Sequence, residues 1–252
     1  MRSCLILESD ASDEELAAAL VCGADALLLR LGPCAEDAAR RSARARACAL
    51  INEARGKEAR GKEAQGKRAA PKLFVELASL DGELIEADLD ALFGPGPDGV
   101  FLPSCDGAAS LQRMSVKLAV REAQAGLPDG ATRIGAFAGG DPGAALALRS
   151  LAGASPRLAA LAFDDAGLRA ALGLACGDGA AVQVARGTVV LAAASADVPA
   201  LAAPVQTGEN EAYAAARRDG FQGAMALFSG QIAAIHEVFP AGENRQRPQS
   251  SA

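Results

Sequence analysis

Ala154-Ser-Pro-Arg-Leu-Ala-Ala-Leu-Ala-Phe-Asp-Asp-Ala-Gly-Leu-Arg-Ala-Ala-Leu-Gly173 holds the clearest strand-to-helix transition in the chain and sets its fold class. Leu158 to Phe163 is an unbroken apolar run, too short for a helix and preceded by Pro156, so it reads as a buried strand. Ala166 to Leu172 begins a helix. Asp164 and Asp165 stand in the turn between them, just past the end of the strand. In parallel α/β proteins that edge is where ligands and metals bind. The two carboxylates therefore pose a choice between chemistry and helix capping.

The same strand–turn–helix unit recurs on both sides of this stretch. Towards the N-terminus, Arg133–Ala138 is a strand, and Gly-Gly-Asp-Pro (139–142) leads into a helix over Pro142–Leu151, with proline in the favoured first turn. Val100–Leu102 and Lys72–Ala78 are strands. The first is followed by a helix over Ala108–Ala125, the second by one over Asp88–Phe93 and a tight turn at 94–99. Ser3–Leu7 is a first strand, and Ser12–Cys22 is a helix whose Ser12 and Glu15 have capping-box spacing. Ala26–Leu31 is a second strand interrupted only by Arg30, and a charged helix runs from Ala35 to about Glu53. Towards the C-terminus come a helix over Gln183–Ala196, a strand over Val198–Leu201, a helix over Glu209–Asp219, a strand over Gly220–Leu227 and a helix over Gly230–Phe239.

About eight alternations with short connections specify a parallel sheet. In a chain of 252 residues they favour a closed (β/α)8 TIM barrel as a single domain over residues 1–240, with an open doubly wound sheet as the alternative. Two segments stand outside this pattern. Residues 53–68 carry EARGK, EARGK and EAQGK; a glycine every fifth residue and interleaved charges without an apolar face predict a flexible, solvated loop. Residues 241–252 are polar and read as a disordered tail.

Half of the residues are hydrophobic, enough for a sizeable core without disulfides, and tryptophan is absent, so that core rests on small and aliphatic side chains. A net charge of −6 argues against nucleic acid or an anionic membrane surface as partner. The N-terminal apolar run, Cys4 to Leu7, is too short for a signal peptide or a membrane span, so a cytoplasmic protein is expected. The cysteines at 4, 22, 34, 48, 105 and 176 lack metal-type spacing and read as small buried hydrophobes. Cys105 stands at a strand end, but the single histidine, His236, lies far off beside Glu237 and is expected to face solvent.

Several motifs occur in an order that resembles a known family. Arg2-Ser3 opens the first strand, and Gly23-Ala24-Asp25-Ala26-Leu27 leads into the second. Lys72-Leu73-Phe74-Val75 is followed by Leu80-Asp81 and Ala87-Asp88-Leu89-Asp90. Pro97-Asp98-Gly99-Val100-Phe101-Leu102-Pro103 and Ala154-Ser155-Pro156-Arg157-Leu158 are the most specific, and Gly220-Phe221-Gln222-Gly223 with Gln231-Ile232 comes last. Over nearly the whole chain this order is similar to the HpcH/HpaI aldolase and citrate lyase β-subunit family, in particular its citrate-lyase-β-like branch. The resemblance implies a (β/α)8 barrel, cleavage or formation of carbon–carbon bonds in 3-hydroxy acids or CoA thioesters, and a magnesium ion held by one glutamate and one aspartate. It also implies an arginine on the third strand that binds the substrate carboxylate.

At these positions the chain departs from the pattern. The acidic end of the second strand is replaced by Leu31-Gly32-Pro33, and Glu76 stands where the third-strand arginine belongs. Ser104 replaces a lysine after the fourth strand, and the two metal-ligand positions align with Gly140 and Gly167. Gly223-Ala224-Met225-Ala226-Leu227-Phe228-Ser229 replaces the closing motif. The neighbours Asp141, Asp164 and Asp165 are the candidates for a relocated magnesium site; the competing reading makes Asp141 and Asp165 helix caps. Glu76 is the candidate catalytic carboxylate, or else it pairs with Arg30 on the adjacent strand. Two functional readings follow. In one, the chain has weak or no lyase activity and acts as a binding or partner protein, for a small carboxylate or CoA thioester, for its own copies or for a paralogue. In the other, it is a divergent magnesium-dependent carbon–carbon lyase.

Overall fold

Eight parallel strands close on themselves in sequence order, β1 to β8, with β8 returning to pair with β1 at Cys4 and Met225. The computed structural model describes residues 1–31, 37–61, 70–94, 96–174 and 179–241. Its first half runs β1 (Ser3–Leu7), α1 (Asp13–Val21), β2 (Ala26–Arg30), α2 (Asp37–Gly61), β3 (Lys72–Glu76), α3 (Ile85–Leu92), β4 (Gly99–Leu102) and α4 (Ala108–Ala125). The second half runs β5 (Arg133–Ala138), α5 (Pro142–Ala147, prolonged by a 3-10 turn over Leu148–Leu151), β6 (Leu158–Phe163), α6 (Asp165–Leu172), α7 (Ala180–Ser195), β7 (Ala200–Ala202), α8 (Glu209–Arg218), β8 (Gly223–Ala226) and α9 (Gln231–Val238). The barrel expected from the alternation is therefore the fold. No helix among the described residues is long and apolar enough to cross a membrane.

The lumen is filled without tryptophan. Phe74, Phe101 and Phe137 stack across neighbouring strands, with ring centroids 6.2 Å and 4.9 Å apart, and Ile6, Leu28, Leu201 and Met225 complete the layer. Each of the first two rings needs room on the next strand. A Cβ at Gly99, the register partner of Phe74, would lie 2.7 Å from Cδ1 of that ring, and one at Gly135, the partner of Phe101, would lie within the second ring's van der Waals surface. The outward faces of the strands pack against the helices through a second, larger apolar layer that includes Leu27, Leu73, Val100, Ile134, Leu161 and Tyr213.

Two buried ion clusters tie helices to that layer. Asp88 of α3 is wholly buried and accepts from Arg40 and Arg44 of α2, at 2.7 Å for Arg44 Nε, and from the backbone N–H of Ala78 after β3. Glu122 of α4 accepts from both terminal nitrogens of Arg157 at 2.7 Å and from the N–H groups of Thr132 and Gly130. Burial pushes the Glu122 carboxyl up, but these donors outweigh it and bring it down to about 2.

The segment read as a loop from residue 53 is helical through Gly61, because α2 continues past Glu53. A helical glycine costs only about 1 kcal/mol, and tertiary anchoring offsets it. Ala54 is buried, and Arg55 donates to the carbonyl of Gly96 at 3.1 Å and lies 3.4 Å from Asp98 Oδ2. The remaining repeat residues, 62–68, and residues 242–252 of the tail expected to be disordered lie outside the described residues. His236 is a second correction. It is half-buried at the N-terminal end of the barrel, with Nε2 2.8 Å from Ser3 Oγ and 3.6 Å from Asp25 Oδ1, because α9 folds back against β1.

Asp88→Ala leaves two buried guanidinium groups without their carboxylate and is expected to cost about 3–5 kcal/mol in denaturant unfolding at pH 7. Glu122 gives a pH test. Its folded pKa lies below the unfolded value, so its contribution is complete above about pH 4.5 and lost as pH falls towards 2. The stability gap between the wild type and Glu122→Gln should therefore narrow on acidification through that window.

Candidate functional site at the barrel mouth

Strand alternation carries one more layer of side chains above the lumen. Ile6, Leu28, Phe74 and Ala162 face inward, and two residues further on in each strand direction stand Glu8, Arg30, Glu76 and Asp164. Arg30 and Glu76 are register partners on β2 and β3, and the guanidinium Nε donates to Glu76 Oε2 at 2.7 Å. A terminal nitrogen of Arg30 lies 3.4 Å from Glu8 Oε1, and the guanidinium carbon sits 5.6 Å from the centroid of Phe137. The lumen aromatic thus supports the mouth's cation from below. Burial pushes the Glu76 carboxyl above the usual range; Arg30 pulls it back, while Glu8 and Asp164 push it further up.

The other candidates are spoken for by local structure. Asp141 caps α5, its Oδ1 accepting from the N–H of Ala144 at 3.0 Å. The cap of α6 is Asp164 and not Asp165: Asp164 Oδ1 accepts from the N–H of Gly167 at 2.9 Å, whereas Asp165 is the first helical residue and pairs with Arg169 one turn on, at 2.6 Å. The difference arises because the helix begins one residue earlier than Ala166, which moves the capping position back by one. Cys105 is buried in the outer apolar layer, and burial pushes its thiol up to about 11, so it holds no thiolate at neutral pH.

Two features of the mouth escaped the sequence reading. Glu8 lies beyond the last residue of β1, and only the continued alternation from Ile6 marks it. The other is the crowding around Asp164. A Cβ built at Gly140 would lie 3.0 Å from Asp164 Cγ, one at Gly167 would lie 2.8 Å from it, and both would fall closer still to Oδ2. One carboxylate occupies the space beside both glycines.

A sequence model described as HpcH/HpaI aldolase/citrate lyase matches residues 9–233. The chain belongs to the HpcH/HpaI aldolase/citrate lyase family. Among solved structures, RipC from Yersinia pestis is 24% identical with a TM-score of 0.69, covering 95% of this chain and 94% of that one. The citrate lyase β subunit of Mycobacterium tuberculosis, complexed with oxaloacetate and magnesium, is 20% identical with a TM-score of 0.69 over 94% and 96% of the two chains. Haloferax volcanii malate synthase in a magnesium and glyoxylate complex reaches a TM-score of 0.77 at 15% identity, covering 98% of this chain and 77% of its own. At these identities the likeness is one of fold. A comparison with curated proteins found no match.

The residues of this family member do not fit the magnesium site that the resemblance implies. Magnesium needs hard oxygen donors in near-octahedral array. The two positions that the resemblance aligns with metal ligands are Gly140 and Gly167, and the neighbouring Asp164 commits one oxygen to a helix cap. No group of three or more His, Cys, Asp or Glu among the described residues is arranged to hold a metal ion.

The Arg30–Glu76 pair should be measurable. In a double-mutant cycle over Arg30→Ala and Glu76→Ala, the coupling is expected to be favourable and about 1 kcal/mol or less, because Arg30 is more than a third exposed. Zero coupling in denaturant unfolding would mean that the two side chains do not compensate each other.

Proposed function

We propose that this family member has lost magnesium-dependent carbon–carbon lyase activity, or retains it only weakly, and serves as a cytoplasmic binding or partner protein. The observation that carries this reading is the pair Gly140 and Gly167, two ligand positions without a carboxylate, with Asp164 packed beside both. Without the cation, nothing at those positions polarises a carbonyl or steadies an enolate. Glu76 then acts as the counter-ion of Arg30 and not as a catalytic base, which its 2.7 Å contact supports.

Relatives suggest the ligand class. Structures of the Mycobacterium tuberculosis protein hold oxaloacetate with magnesium, and acetoacetate with magnesium and coenzyme A. In this chain Glu8, Glu76 and Asp164 outnumber Arg30 at the mouth, so a free dicarboxylate meets net repulsion where it would dock. A CoA thioester of a short monocarboxylic acid, which carries no carboxylate at the acyl end, suits the mouth better. Partnership with a second copy or with an active paralogue is compatible with the same reading.

The test is direct. Titration of the wild type with Mn²⁺, followed by electron paramagnetic resonance, is expected to show no saturable site, and incubation with Mg²⁺ and a 3-hydroxyacyl-CoA should give turnover at background. A saturable Mn²⁺ site that disappears in Asp141→Asn and Asp165→Asn would establish a relocated metal centre and overturn the proposal.

A further inference from the structure

We propose that Asp164, Gly140 and Gly167 form one steric unit, in which Asp164 closes the mouth to a divalent cation and dictates glycine at the other two positions. The inference rests on the reading above that 140 and 167 are the vacated ligand positions. Neither glycine is demanded by its backbone: Gly139, Gly173 and others have positive φ angles, whereas Gly140 and Gly167 do not. An L side chain is therefore conformationally acceptable at both. What opposes it is space, and the occupant of that space is the same atom in both cases, Asp164 Oδ2.

Asp164 cannot move aside freely. Its Oδ1 is held by the N–H of Gly167, its backbone N–H donates to the carbonyl of Ala138 on β5, and its own carbonyl accepts from the N–H of Leu168. Rotating the carboxylate out of the cradle surrenders the cap of α6. Helix capping and cation binding thus compete for one carboxylate, and capping prevails. A further consequence is an order of substitution: a glutamate at 140 or an aspartate at 167 is not tolerated until residue 164 becomes smaller.

Gly167 lies in the first turn of α6, where alanine is ordinarily the better helix former. Gly167→Ala is therefore expected to lower the melting temperature in the wild type and to raise it in an Asp164→Ser background, where a hydroxyl still caps the helix but leaves room for a Cβ. Gly140→Ala should also lower the melting temperature, and less so in the Asp164→Ser background. Equal shifts in both backgrounds would overturn the steric unit. The cation claim is read separately, by Mn²⁺ resonance. Gly140→Glu/Gly167→Asp with Asp164 retained is expected to bind no Mn²⁺, and the same pair with Asp164→Ser to bind one equivalent. Binding by both variants, or by neither when circular dichroism shows them folded, would overturn it. The melting cycle is independent of the wild-type titration: a wild type that binds Mn²⁺ refutes the functional reading and the cation claim, while the cycle still reports on the steric cradle.

Discussion

A closed eight-strand barrel must fill its lumen, and this sequence has to do so without tryptophan. An unfilled lumen is a cavity, and cavities in a protein interior are costly in proportion to their volume. Here three phenylalanines on consecutive strands, β3, β4 and β5, supply the bulk. Their edge-on contacts require that the partner positions on the next strand carry no side chain, which is why Gly99 and Gly135 face Phe74 and Phe101. The third ring, Phe137, meets Arg30. Lumen packing and mouth electrostatics are therefore continuous: the same stack that closes the core ends on the cation that organises the acids of the mouth.

That cation explains how the charged layer is held together. Glu8, Glu76 and Asp164 converge on one end of the barrel, and burial already raises the Glu76 carboxyl. Uncompensated, such a layer would repel itself. Arg30 lies between Glu8 and Glu76, and Asp164 is neutralised in part by the N-terminal dipole of α6, whose N–H it accepts. One guanidinium and one helix terminus supply this compensation, and both are fixed components of the fold.

The sequence disclosed the fold better than the site, for a physical reason. Strands such as Leu158–Phe163 and Arg133–Ala138 are apolar runs bounded by turn residues, a local signal that survives tertiary context, and their limits agree with the structure residue for residue. Residues 53–61 misled because periodic glycine predicts a break only while nothing packs against the helix; Arg55 reaching the β4 approach at Gly96 and Asp98 is a contact that local sequence does not announce. At the mouth, the Arg30–Glu76 pair was legible because register follows from strand order. The exchange between Asp164 and Asp165 as cap was not, since a one-residue shift in helix start leaves the composition of the turn unchanged. His236 was misplaced for the same kind of reason, because its neighbours Ser3 and Asp25 are more than two hundred residues away in the chain.

The groups that hold the barrel together are largely separate from those at its mouth. Asp88 with Arg40 and Arg44, and Glu122 with Arg157, lie in the layer between helices and barrel, buried and fully engaged. Glu76, Gly140 and Gly167 belong to neither cluster. Asp164 has two roles, since it caps α6 and borders both glycines. That dual position couples the mouth to the helix layer through one side chain: while the Asp164 carboxylate caps α6, a Cβ at either neighbouring glycine meets a steric cost.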